Sequence, residues 1–124
     1  MEIKEIQEKI KKFNEDREWG KYWEIKDLLL NMNEEIGEMW HIIKWIDEKK
    51  QEEMIVKNKK EVENFMGDML FLLLKIAAIS GVDSEKGIME VLEEYEKRFP
   101  LEETKGRHGN VRAGGIDKKN QDGN

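Results

Sequence analysis

The sequence predicts an all-α protein, and three observations carry that prediction. Apolar residues recur three or four positions apart over long stretches, which is the helical period. The 124 residues include one proline, Pro100, and the glycines crowd toward the C-terminus, so long segments run without a breaker. Charged residues make up 40% and hydrophobic residues 38%, the balance of amphipathic helices with solvated outer faces. The length is enough for one domain with a core and not for two.

Four helices follow in order. The first spans residues 2–16, with Ile3, Ile6, Ile10 and Phe13 on one face. A loop carrying Trp19, Tyr22 and Trp23 comes next. The second helix starts near Glu24 or at Asp27, a good N-cap, and is expected to run to about Lys50. Its main apolar stripe is Leu29, Met32, Ile36, Trp40 and Ile43. The charged stretch Glu48–Asn58 reads as a loop or a fraying helix end. The third helix runs from about Lys59 to Ser80 and is apolar nearly all round in its second half. Such a helix belongs at the centre of a bundle or at an oligomer interface. Gly81 ends it. Asp83 or Ser84 caps the fourth, which closes near Arg98 before Pro100 and turns Ile88, Val91, Leu92, Tyr95 and Phe99 inward. The expected division is a helical domain over residues 1–103 and a basic, Gly-rich, partly disordered tail over 104–124.

Composition excludes several classes. No stretch approaches the roughly 18–20 apolar residues of a membrane span. The charged start Met1-Glu2-Ile3-Lys4-Glu5 has no apolar signal region, and a cytoplasmic location is expected. Cysteine is absent, which removes disulfides and zinc-thiolate sites. The net charge of −6 argues against binding nucleic-acid polymers. From Thr104 onward five basic residues face two acidic ones, so the tail is +3 and the body −9.

Asp68 is the misfit. It lies inside Phe65-Met66-Gly67-Asp68-Met69-Leu70-Phe71, where a carboxylate is expected to be buried, and an unpaired buried charge costs several kcal/mol or more. On the second helix Glu35, Glu38, Ile42 and Trp45 share a stripe beside the main apolar one. Antiparallel packing of the second and third helices would bring Glu35 and Glu38 near Asp68. Facing helices build metal sites from inward carboxylates in this way, and all-oxygen ligands select Mg²⁺, with Mn²⁺ also acceptable. The alternative is a buried ion pair of Asp68 with Lys75, Arg98 or another base. His41 and His108 have no partner at ligand spacing.

These residues resemble the MazG-type nucleotide pyrophosphohydrolases of the all-α NTP pyrophosphatase superfamily. Glu35-Ile36-Gly37-Glu38 matches the Glu-x-x-Glu of that family, and Gly67-Asp68-Met69-Leu70-Phe71 matches the core of its Glu-x-x-Asp segment. Asp16-Arg17-Glu18-Trp19, Trp45, and Glu94-Tyr95-Glu96-Lys97-Arg98-Phe99-Pro100 are similar to the dCTP-pyrophosphatase and archaeal branches. The resemblance covers roughly residues 1–100. One departure stands out: Phe65 occupies the position three before Asp68 where the family carries Glu. Glu61 and Asn64 lie on Asp68's face and would substitute as ligands.

The resemblance implies a four-helix bundle that hydrolyses a nucleoside triphosphate to the monophosphate and pyrophosphate with Mg²⁺, in nucleotide-pool sanitation, while the surplus apolar surface of the third helix predicts a homodimer or homotetramer. Glu35, Glu38, Asp68, Glu61 and Asn64 would hold the metal, with Glu38 taking the proton of the attacking water. Trp19 and Trp45 match base-contacting positions, and Lys75, Arg98, Lys105 and Arg107 would meet phosphates. Trp23 and Trp40 read as packing residues. The competing readings are a relative acting on another pyrophosphate-linked nucleotide, and a non-catalytic helical interaction protein with a degenerate metal site.

Overall fold

The computed structural model describes residues 1–106; Arg107 and the rest of the basic tail, with the disorder expected of it, lie outside the described residues. Every regular element among them is helical: α1 (Ile3–Asp16), a 3₁₀ turn (Trp19–Lys21), α2 (Ile25–Ile43), α3 (Glu48–Lys57), α4 (Lys59–Ser80), α5 (Ser84–Arg98) and α6 (Leu101–Thr104). No single helix among them is long and apolar enough to cross a membrane. The chain forms two compact units, Met1–Ser84 and the part from Glu85 onward. This division falls inside the span that the sequence reads as one domain, and the larger unit carries the site.

In the larger unit α4 is the centre, packed against α1 and α2. Both neighbours run antiparallel to it. Phe13 meets Phe71 edge-on, with ring centroids 5.9 Å apart, while Gln7, two turns earlier on α1, donates from Nε2 to the Val82 carbonyl just beyond α4, at 2.9 Å. Gln7 Oε1 also accepts from the Ser84 hydroxyl at 2.5 Å. One side chain thus fixes the chain where it leaves α4.

The core is small: Ile10, Leu28, Leu72, Leu74 and Ala77 are its buried apolar residues, and Leu28, 1% exposed, is the deepest. Gly81 terminates α4 as expected, in the left-handed region at φ 67°, where a Cβ would be strained. Val82 then donates back to the Ala77 carbonyl at 3.0 Å, satisfying one of the helix's last acceptors.

Three expectations are corrected. The second helix stops at Ile43 and does not reach Lys50. The segment Ile42-Ile43-Lys44-Trp45-Ile46 sets three β-branched residues around a bulky ring, a poor helical run, and Asp47 then opens a new helix as its N-cap residue. The stretch from Glu48 is that helix, α3, neither a loop nor a frayed end. Asn58 separates it from α4: the Asn58 side-chain amide donates to the Met54 carbonyl at 2.7 Å, a local bond that competes with helix continuation. Finally, the stripe Leu29, Ile36 and Trp40 of α2 is half exposed, and the face turned toward α4 is the neighbouring one, through Leu28, Asn31, Glu35 and Glu38.

In the smaller unit, α5 carries Lys86–Glu90 and Arg98–Glu94 ion pairs one turn apart. Tyr95 stacks edge-on with Phe99 at 5.9 Å. Thr104 closes α6 by donating to the Pro100 carbonyl at 2.7 Å.

Candidate functional site

The antiparallel pairing of α2 and α4 sets their polar residues in register. Glu35 is the junction of two cavities. Toward the C-terminal half of α2 it lines a cleft of about 680 Å³ with Glu38, Met39, Glu61, Asn64 and Phe65, and with Lys60 at the same wall. Toward the N-terminal half it lines a pocket of about 230 Å³ with Asn31, Asp68 and Lys75, under Trp19 and Trp23. Both cavities lie between the same two helices.

The carboxylates that the sequence singles out do meet. Burial raises the proton affinity of Glu35 above the ordinary carboxylate range, and the charges of Asp68 and then Glu38 raise it further. Glu38 and Asp68 are thus the two acidic neighbours of Glu35. Glu38 is one turn along the same helix, and Asp68 reaches across from α4. Asp68 itself is half-buried, not fully enclosed, and accepts from the Asn64 amide at 3.1 Å. The expected alternative of an ion pair with Lys75 is not formed: among the described residues of the larger unit the ion pair joins Lys12 to Asp16. No three Asp, Glu or His side chains among the described residues stand in ready-made metal-ligand geometry. The donor set of carboxylates and a side-chain amide nevertheless suits a hard divalent cation, and a carboxylate whose charge is disfavoured by two acidic neighbours is one that such a cation would relieve.

Phe65, standing where the resemblance calls for Glu, lines the larger cleft beside Asn64 and Glu61. Those two residues are therefore at hand on the wall where a carboxylate is lacking.

The residues assigned to substrate divide. Trp19 is held by the edge of Phe13, centroids 5.5 Å apart, and Glu18 in front of it adopts a left-handed conformation, φ 53°, uncommon for a residue with a side chain. Trp45 stands beyond the other end of α2, 88% exposed. The helix between them is roughly 28 Å long at 1.5 Å per residue, so the two rings do not share a pocket. Arg98 pairs with Glu94 on α5, and Lys105 follows α6; both belong to the smaller unit.

Lys75 departs most from expectation. It is 3% exposed, the one buried charged residue among those described. Its ammonium lies 5.4 Å from the Trp19 ring centre and 5.1 Å from that of Trp23, and its desolvation lowers its proton affinity. Trp23, read as a packing residue, is therefore a wall of the pocket. Asn31 and Lys60 were missed. Asn31 carried a signal, since it stands four residues before Glu35 on the same helical stripe; Lys60 carried none. Comparison with protein-family models, with curated proteins and with solved structures returns no match.

Proposed function

We propose that the protein is a Mg²⁺-dependent nucleoside triphosphate pyrophosphohydrolase of the MazG type, which cleaves a triphosphate to monophosphate and pyrophosphate. One observation carries the reading: Glu35 lines both a cleft shared with Glu38 and an aromatic-walled pocket shared with Asp68, and the charges of both neighbours raise its proton affinity. Like charges so placed are unfavourable in the isolated protein. Their arrangement makes sense for a ligand that brings cations and takes phosphate charge.

Glu35, Glu38 and Asp68 would hold the metal, with Glu61 and Asn64 completing the shell in place of the residue lost at Phe65. A divalent cation bound there supplies neutralisation of phosphate charge and acidification of a water. Glu38, the more exposed of the α2 pair, takes the proton of the attacking water as general base. Lys60 donates to the phosphate chain from the wall of the larger cleft, a role expected from the sequence for Lys75, Arg98, Lys105 and Arg107. The 680 Å³ cleft has the volume of a small-molecule site, about 300–1,000 Å³. The 230 Å³ pocket takes only part of such a ligand, and its two tryptophans suit a base.

The half-exposed stripe Leu29, Ile36 and Trp40 favours assembly as a homodimer or homotetramer, because contiguous apolar surface of this kind is covered in stable proteins. The same feature, with Phe65, favours the second reading, a non-catalytic interaction protein.

The deciding experiment incubates the protein with Mg²⁺ and a panel of nucleoside triphosphates and measures pyrophosphate release. Hydrolysis that is lost in Asp68→Asn, with helicity and melting preserved, is the expected result. No pyrophosphate from any substrate, and no thermal shift with Mg²⁺ and a non-hydrolysable triphosphate, would establish the interaction protein instead.

A further inference from the structure

We infer that Lys75 reads the base: its ammonium donates a hydrogen bond to a ring carbonyl oxygen in the Trp19–Trp23 pocket, so the site selects keto bases over their amino counterparts. The inference rests on the nucleotide reading of the same site. It begins from a side chain that the fold leaves incomplete. Lys75 is almost wholly buried, and its ammonium makes no hydrogen bond or ion pair among the described residues. The ammonium is not sealed off, since the fully enclosed polar atom without a partner among the described residues is Asn14 Oδ1; it opens onto the pocket, where a side chain so little exposed leaves its N–H groups poorly solvated, at a cost. The two indole faces offset part of that cost but accept none of its N–H groups as an oxygen would. An ammonium has three donors and no acceptor, so whatever completes it must present a lone pair.

The pocket narrows the choice of ligand. Leu28, Phe71 and Leu72 join the two tryptophans in lining it, and such walls desolvate a phosphate at high cost. They suit a flat, neutral ring whose edge carries an oxygen. Of the pocket's other polar groups, Glu35 and Asp68 are acceptors when ionised and repel a second acceptor, while the Asn31 amide can donate or accept and so does not discriminate. The carbonyl is therefore directed to the lysine end. An exocyclic amino group at the same ring position would set a donor against a donor.

Nucleosides test this without phosphate or metal. The full chain is titrated with uridine, cytidine, inosine and adenosine, following the indole N–H resonances of the tryptophans. Uridine should bind at least tenfold tighter than cytidine, and inosine than adenosine; tenfold is about 1.4 kcal/mol. Lys75→Met keeps the length of the side chain and removes the charge, and should bring each pair within threefold. Equal binding of keto and amino nucleosides by the wild type, or an unchanged ratio in the variant, overturns the inference. So does hydrolysis of triphosphates by a protein that binds no nucleoside. Preferential uridine binding without any triphosphate hydrolysis leaves Lys75 as the base reader and removes the pyrophosphohydrolase.

Discussion

Replacing Glu35 by glutamine should stabilise the metal-free protein at neutral pH, although it removes a residue central to the proposed site. The magnitude follows from its neighbours. Glu38 lies three residues along α2, and a like-charge pair at that spacing costs about 0.2–0.5 kcal/mol. Asp68 approaches from α4 in a partly exposed setting, where a pair of charges is worth about 0.2–1 kcal/mol. Solvent screening at this half-exposed site leaves a gain of roughly 0.5–1 kcal/mol for the variant. The sign with pH is fixed by the raised proton affinity of Glu35, which comes from burial, then Asp68, then Glu38. Below the ordinary value of 4.5 the carboxyl is protonated in both folded and unfolded chains, and no penalty exists. As pH rises through the raised folded value, charge is forced on the site and wild-type stability falls relative to the variant. Urea unfolding of both proteins at about pH 4 and pH 7, at low and high salt, measures this. The gain should appear at neutral pH, shrink with salt and vanish in acid. Magnesium should reverse the order, since a ligand at 100 times its Kd stabilises by about 2.7 kcal/mol and the variant binds it less. A variant less stable than wild type at neutral pH without metal would refute the repulsion.

Two further substitutions test the packing around the site. Trp40→Glu places a charge on the outward stripe of α2; it should shift the protein to a smaller species in light scattering while leaving circular dichroism unchanged, because Trp40 is 57% exposed and its loss opens no cavity. Leu28→Ala removes the deepest core side chain, under the small pocket, and should cost about 3–5 kcal/mol in chemical unfolding.

The sequence made the helices legible where one face is buried. Ile3, Ile6, Ile10 and Phe13 defined α1 to within a residue, and Gly81 marked the end of α4 because only its left-handed backbone is unstrained there. The end of α2 was not legible. Ile42, Ile43 and Ile46 extend the apolar spacing beyond the point where the backbone breaks, so periodicity alone runs through the turn at Trp45. The orientation of α2 was not legible either. Its strongest apolar stripe looks like a core face, but Leu29, Ile36 and Trp40 point away from α4. An apolar stripe reports that a face is to be covered, not by which surface. Asp68 announced an acidic site, and the three-residue spacing of Glu35 and Glu38 identified its partners. Lys75 was legible as a candidate cation, but its burial against two tryptophans was not, because a lysine in a helix is ordinarily solvated.

Lys75 and the acidic cluster are best understood together. Asp68 and Lys75 share α4 two turns apart, and their opposite charges would neutralise each other if they met. Asn64 holds Asp68 on one side, and Trp19 and Trp23 hold the Lys75 ammonium on the other, with the pocket between. Seven positions on one helix span about 10 Å at 1.5 Å per residue, beyond the spacing at which side chains of one helix pair. A core that served packing alone would carry an apolar residue at Lys75, since replacing buried charge by well-packed apolar side chains is often neutral or stabilising. The separated arrangement instead leaves a set of acceptors and a set of donors at either end of one cavity, each requiring something that the other half of a single ligand would supply.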